Sequence, residues 1–279
     1  MSYKTIVVHL DTSARAQARL HLAIEIAKRH GAFLQGVFAV FAPNPRSFVV
    51  MAGTAEYYEE HETVRHEEHG ALERLFEAEL SRAHVDGEWI DETGNADDEL
   101  PKYARRADLL IIGQDDPADP ESFVADHFPE NMVMSAGRPV LVVPYAGSFA
   151  HIGRRVMVAW DGSREATRAV HDALPLLKQS EQTTVVTISA AHGNVPGARP
   201  PGADIAATLT RHGVKVTTLD LPAAKDVATG EMLLARIDDI GADLVVMGGY
   251  GHTRWQELIL GGVTRTMLSS MTVPVLMSH

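Results

Sequence analysis

The 279-residue chain contains no cysteine. That excludes a disulfide framework, thiol catalysis and cysteine-ligated zinc, and it agrees with a reducing compartment. Basic residues are in the minority, with 25 Lys and Arg against 37 Asp and Glu and a formal charge of −12. A nucleic-acid-binding surface needs clustered Lys and Arg, so no nucleic-acid partner is expected. No apolar run approaches the roughly 20 residues that span a bilayer, so no membrane partner is expected either. The opening MSYKTIVVHL lacks a basic segment followed by an apolar stretch and a small-residue cleavage site. It reads as a strand, and the expected location is cytoplasmic. What remains is ordinary for a globular protein, with 45% apolar and 22% charged residues. The length suggests about two domains.

The chain repeats itself. TIVVHLDTS (5–13) resembles RVMVAWDGS (155–163), each an apolar β-branched run ending in Asp-x-Ser before a helical pattern. ADLLIIGQ (107–114) matches ADLVVMGG (242–249), and RPVLVVP (138–144) matches VPVLMSH (273–279). The first pair is offset by 150 residues and the other two by 135, so one unit is duplicated. A join of small residues lies at Ala146–Ala150. The expected domains are 1–147 and 152–279. Within each, near-continuous Val/Ile/Leu strands alternate with amphipathic helices, which indicates parallel strands covered on both faces. The fold class expected is α/β, with two tandem flavodoxin-like domains, each a five-stranded parallel doubly wound sheet. Ligands of such sheets bind at the carboxyl ends of the strands, where the strand order reverses.

At one such end, strand DLVVM runs into Gly248-Gly249-Tyr250-Gly251. After nine further residues come Gly261, Gly262, Val263 and Thr264, just before a helical run. Glycines at a strand-to-helix junction let backbone N–H groups and a helix N-terminus converge on an anion. No Gly-Lys-Ser/Thr follows, so this is not a Walker loop. A third glycine is missing at position 254, so it is not the dinucleotide fingerprint. By spacing alone the segment serves equally as a structural turn and helix cap.

On these residues the chain resembles the universal stress protein family in its tandem two-domain form. The family pattern is Gly, two residues, Gly, nine residues, Gly, then Ser or Thr, between a DLVVMG-type strand and a PVLVV-type strand. Gly248, Gly251 and Gly261 match it, and Gly262 stands where Ser or Thr is usual. VMVAWDGS matches the family's early V-x-V-x-x-D-G-S element. The resemblance covers essentially the whole chain, but the full nucleotide signature occurs only in the second half. It implies an adenine nucleotide alpha hydrolase-like fold. It also implies ATP or AMP, with or without Mg2+, bound in the C-terminal domain alone. The implied contacts are Asp161 to the nucleoside, the backbone near Ile188 to the adenine edge, and Gly248, Gly251, Gly261, Gly262, Val263 and Thr264 around the ribose and phosphates. Gly262 loses one hydroxyl donor, a difference of about 0.5–1.5 kcal/mol. Asp161 equally suits a turn or helix cap.

The first half reads as a degenerate copy. After ADLLIIG come Gln114, Asp115, Asp116, Pro117, Ala118, Asp119, Pro120 and Glu121. Four carboxylates repel a phosphate and two prolines remove backbone donors. The expected role of this half is to pair with the second.

Residues 54–83 form a long acidic helical pattern containing His61, Glu62, His66 and His69. The spacing of five from His61 to His66 fails the HExxH metal pattern, while His66 and His69 share a face. A solvated helix face is the simpler reading. No G-x-S-x-G elbow occurs, and Ser163 has no evident base. Within and after the glycine loop, Tyr250, Arg254 and Arg265 are candidate ligand contacts, with His252 as a loop residue.

The last strand of each unit presents an apolar edge, and two such edges in one chain can cover each other. An intrachain pseudo-dimer is therefore expected, mimicking the homodimer that the resemblance implies for single-domain relatives. A homodimer of chains on other apolar surface is the further assembly this allows. The function implied is a nucleotide-binding regulatory or protective role in the stress response, without efficient catalysis. The alternatives are a slow ATPase in the same pocket and an interaction protein that binds no nucleotide.

Overall fold

The computed structural model describes residues 2–40, 55–92, 94–119, 124–125, 127–189, 201–224, 226–251 and 262–279, with backbone alone at 55–68 and 189. In the first repeat the elements are β1 (Thr5–Leu10), α1 (Ala16–His30), β2 (Phe33–Phe38), α2 (Ala55–Ala83), β3 (Gly87–Asp91), α3 (Ala96–Ala104), β4 (Leu109–Gly113), α4 (Phe128–Ser135) and β5 (Val140–Val143). In the second they are β6 (Arg155–Ala159), α5 (Arg164–Asp172), α6 (Leu174–Leu177), β7 (Gln182–Ser189), α7 (Ala203–Arg211), β8 (Val216–Pro222), α8 (Thr229–Ile240), β9 (Leu244–Gly248), α9 (Gly262–Ser270) and β10 (Val275–Ser278). The chain divides into two compact units, Tyr3–Met132 and Val133–His279, the latter with the first two residues. The final strand of the first repeat therefore belongs to the C-terminal unit.

In the N-terminal unit the parallel strands run β3-β2-β1-β4. In the C-terminal unit β8, β7, β6, β9 and β10 are parallel in that order. Counting within each repeat, the second and third strands lie on one side of the first and the fourth on the other. The doubly wound layout is thus present. Its order has the 3-2-1-4-5 form, whereas flavodoxin itself has 2-1-3-4-5. The reversal falls between β6 and β9, which sets the ends of those two strands side by side.

Residue pairing repeats as closely as the sequence does. Ile6, Val7 and Val8 pair with Leu109, Leu110 and Ile111. Their counterparts Val156, Met157 and Val158 pair with Leu244, Val245 and Val246. These central strands are buried because helices cover both faces; Leu110 and Val245 are fully enclosed. Truncating such a leucine to alanine costs about 2–5 kcal/mol. The edge strands β3 and β8 are mostly exposed or half-buried, and they carry Glu88, Asp91 and Asp220. The repeated Ala-Asp-Leu has a physical reason too. Asp108 accepts hydrogen bonds from the backbone N–H groups of Lys4 and Thr5, and Asp243 accepts from those of Gly153, Arg154 and Arg155. Each carboxylate ties the entry of its fourth strand to the entry of its first.

Strands β5 and β10 pair antiparallel, with Val275 opposite Val142, Leu276 opposite Leu141 and Met277 opposite Val140. Leu141 and Leu276 are equivalent positions of the repeat, so this strand pair has a local twofold axis between them. The two apolar edges expected to cover each other do so here.

Candidate functional site

The carboxyl ends of β6, β7 and β9 open into a cavity of about 350 Å³ in the C-terminal unit. That is the lower part of the size range of small-molecule sites. Asp161, Ile188, Gly248, Gly251, Gly262, Val263 and Thr264 all line it. Gly261, His252 and Arg254 lie outside the described residues. Arg265 is exposed on α9 and is not part of the lining.

The glycine positions differ in what they require. At Gly248 a Cβ would sit 2.6 Å from the Ala166 backbone nitrogen and 2.8 Å from the Glu165 carbonyl carbon. The end of β9 therefore packs directly on the first turn of α5, and only glycine fits. At Gly251 a Cβ would lie 3.1 Å from Glu165 Oε2 and 3.5 Å from Ser163 Oγ. At Gly262 a Cβ would meet nothing within 4 Å. The residue standing where the family has Ser or Thr is thus small without being sterically obliged to be.

Gly262, Val263 and Thr264 open α9, so their backbone N–H groups have no partner within the helix. The Thr264 side chain is buried, and its hydroxyl accepts a hydrogen bond from the Tyr250 backbone N–H at 3.3 Å. That bond joins the two halves of the glycine motif. It holds Tyr250 at φ +57°, a left-handed conformation that costs a bulky residue strain. Such strain concentrates at functional sites.

Asp161 makes the turn contact expected of it and also lines the cavity. Its Oδ1 accepts from the Ser163 backbone N–H at 2.9 Å, which shapes the turn, while the residue is exposed and faces the cavity. Ser163 is a helix cap: its hydroxyl accepts from the Ala166 N–H at 3.1 Å at the start of α5. Ala159, Trp160, Val186, Thr229, Leu233, Met247 and Tyr250 complete the described lining. Of these, Thr229 and Leu233 were invisible to sequence reasoning because α8 carries no motif. Trp160 had a signal, its place immediately before Asp161 at a strand end.

At the matching end of the N-terminal unit, Asp11 is buried. It lies 2.8 Å from Arg19 Nη2 and accepts the Ser13 hydroxyl at 2.5 Å. Burial alone would raise the Asp11 pKa, but the Arg19 charge, His9 and the Ser13 hydroxyl together hold it below the ordinary value. His9 is pushed down to about 4 by burial, against the pull of Asp11, so it is neutral at pH 7. Its Nε2 donates to the Ala39 carbonyl at 2.7 Å. Asp119 accepts from the Ala14 backbone N–H at 2.9 Å, so one carboxylate of the acidic loop is spent at the entry to α1. Asp115 is raised to about 6, by burial first and then by Glu130 and Asp11, with His127 opposing. Pro120 and Glu121 lie outside the described residues.

Among the described residues no group of three or more His, Asp or Glu side chains is placed to hold a metal. The side chains of His61, Glu62 and His66 are outside them. His69 sits 3.5 Å from Asp91 and packs edge-on against Phe38. No described helix is long and apolar enough to cross a membrane.

The universal stress protein family model matches residues 2–144 and 153–279. A universal stress protein from Archaeoglobus fulgidus DSM 4304 superposes with a TM-score of 0.69 at 17% identity, over 98% of this chain and 97% of that one. A functionally unknown protein from Pseudomonas aeruginosa PAO1 does so with a TM-score of 0.57 at 12% identity, over 98% and 92%. A universal stress protein in complex with cAMP matches 52% of this chain and 100% of its own, at 24% identity and a TM-score of 0.36. No curated protein is significantly similar in sequence. With the fold shared along its length and the family model matched twice, the chain belongs to the universal stress protein family and carries two of its domains in tandem.

Proposed function

We propose that the C-terminal domain binds one adenine nucleotide per chain, ATP or AMP, and that the protein acts in the cytoplasm as a regulatory or protective factor under stress. The observation that carries this reading is convergence. Seven residues named from the glycine motif and its partners, distant in sequence, line one cavity at the topological switch point. The first turn of α9 offers backbone donors and a positive helix end suited to a phosphate. Apolar Val186, Ile188, Leu233 and Met247 offer a surface for a base. Asp161 offers a carboxylate to ribose hydroxyls. It is the one acidic group in the described lining, so Mg2+ arriving with a triphosphate would be held by the phosphate oxygens themselves.

The role is binding, with the two repeats, expected at 1–147 and 152–279, joined as an intrachain pseudo-dimer by the pairing of their last strands β5 and β10. Saturating ATP or AMP should raise the melting temperature, because a ligand at about 100 times its Kd adds about 2.7 kcal/mol of stability. Phosphate release should stay at the uncatalysed rate. No stabilisation by either nucleotide, with or without Mg2+, would remove the proposal, and turnover that the Gly251→Val variant abolishes would establish the ATPase instead.

A further inference from the structure

We propose that the N-terminal unit's copy of the strand-end site is liganded from within: Asp11 is a guanidinium-binding carboxylate, and its occupant is Arg19 of the same chain. Asp11 is the repeat counterpart of Asp161, yet it is 3% exposed whereas Asp161 faces a cavity. Arg19 rises from α1 and is itself 3% exposed. It is held on three sides. Its Nη2 is 2.8 Å from Asp11 Oδ2, and its Nε donates to the His9 carbonyl at 2.7 Å. Its Nη1 lies where a Cβ on Gly113 would come within 2.2 Å. Gly113 is thus the floor of a guanidinium slot, and any other residue there would displace the arginine. The slot's remaining groups suit a cation. His9 donates its Nε2 hydrogen elsewhere, so Nδ1, 3.8 Å from Asp11, bears none and does not compete for the carboxylate. Ser13 donates to the other Asp11 oxygen.

In the second repeat Ala169 stands at the position of Arg19. Gly248, the counterpart of Gly113, instead meets the backbone of α5 directly. The arginine is therefore the side chain that fills the first site at its aspartate and is missing from the second, and this inference does not depend on what the C-terminal cavity binds.

Arg19→Ala leaves Asp11 buried beside a guanidinium-sized void. In the full chain it should lower the melting midpoint by roughly 5–15 °C. Millimolar methylguanidinium should restore part of that loss, while tetramethylammonium at equal concentration should not. Arg19→Lys, which keeps the charge and loses the fork, should fall between the two. Arg19→Ala melting with the wild type, or methylguanidinium shifting both proteins alike, would overturn the proposal. Should Arg19→Ala fail to fold, nitrogen-15 spectra of the wild-type chain decide. One arginine Nε–H must exchange slowly with solvent and be missing from Arg19→Lys; absence of a protected arginine Nε–H contradicts the internal ligand.

Discussion

The two strand-end sites share a backbone plan and differ in what their aspartates face. Asp11 is buried against Arg19, and Asp161 is exposed at a cavity. The strand register around them is the same. Duplication therefore preserved the frame, because the frame is fixed by apolar burial and by the paired Asp108 and Asp243 clamps. The ends of the strands were free to diverge, because there only a few side chains decide whether space stays open. Acidic residues after β4 are one difference, as the sequence indicated. The arginine on α1 is a second, and it reaches the aspartate itself.

The largest expected break in this comparison is Gly251→Val. A branched side chain there meets Glu165 Oε2 and Ser163 Oγ at the rim of the cavity. Nucleotide affinity should fall about tenfold to a hundredfold or beyond, the equivalent of about 1.4–2.8 kcal/mol of binding free energy or more, with the melting midpoint little changed. Unaltered affinity at normal stability would reduce the loop to a structural turn.

Gly248→Ala should act differently, on the fold first. Its Cβ must push the α5 backbone away, at about 1–3 kcal/mol. Denaturant unfolding should show that loss, and an alanine variant as stable as the parent would mean that β9 and α5 do not touch as described.

Gly262→Ser sharpens the comparison by completing the family motif. Open space around the Cβ position removes a steric penalty. The added hydroxyl should tighten nucleotide binding by roughly two- to tenfold, about 0.5–1.5 kcal/mol. Weaker binding would show that the loop is set differently from the family's.

The smallest effect concerns Asp115. Its pKa is raised to about 6, so the folded state favours the protonated acid. Stability from this group is full below the ordinary aspartate value and is lost as pH rises through about 6. Asp115→Asn should therefore raise the melting midpoint above that pH and give no gain well below it. An equal gain at both ends of the range would exclude titration as the cause. His9 works in the opposite direction, since its pKa is lowered to about 4 and acidification below the ordinary histidine value favours unfolding.

Much of this was legible in the sequence. Near-continuous apolar runs marked β1, β4, β6 and β9, the 150- and 135-residue offsets marked the duplication, and the glycine motif marked the cavity. Even the β5–β10 contact followed from two apolar edge strands needing cover. Strand order within the repeat did not follow, since periodicity identifies a strand without naming its neighbours. Arg19 was missed for a related reason. On a helical pattern an arginine reads as solvated surface, and its partners Asp11, His9 and Gly113 form no motif because only the fold brings them together. Thr229 and Leu233 reach the cavity in the same unannounced way, from a helix chosen by topology.

Calorimetric titration of the full chain with ATP and with AMP, each with and without Mg2+, tests the asymmetry most directly. The account predicts one site per chain, lost in Gly251→Val and retained in any folded Arg19 variant. Two equivalent sites per chain, or one site that survives Gly251→Val, would contradict it.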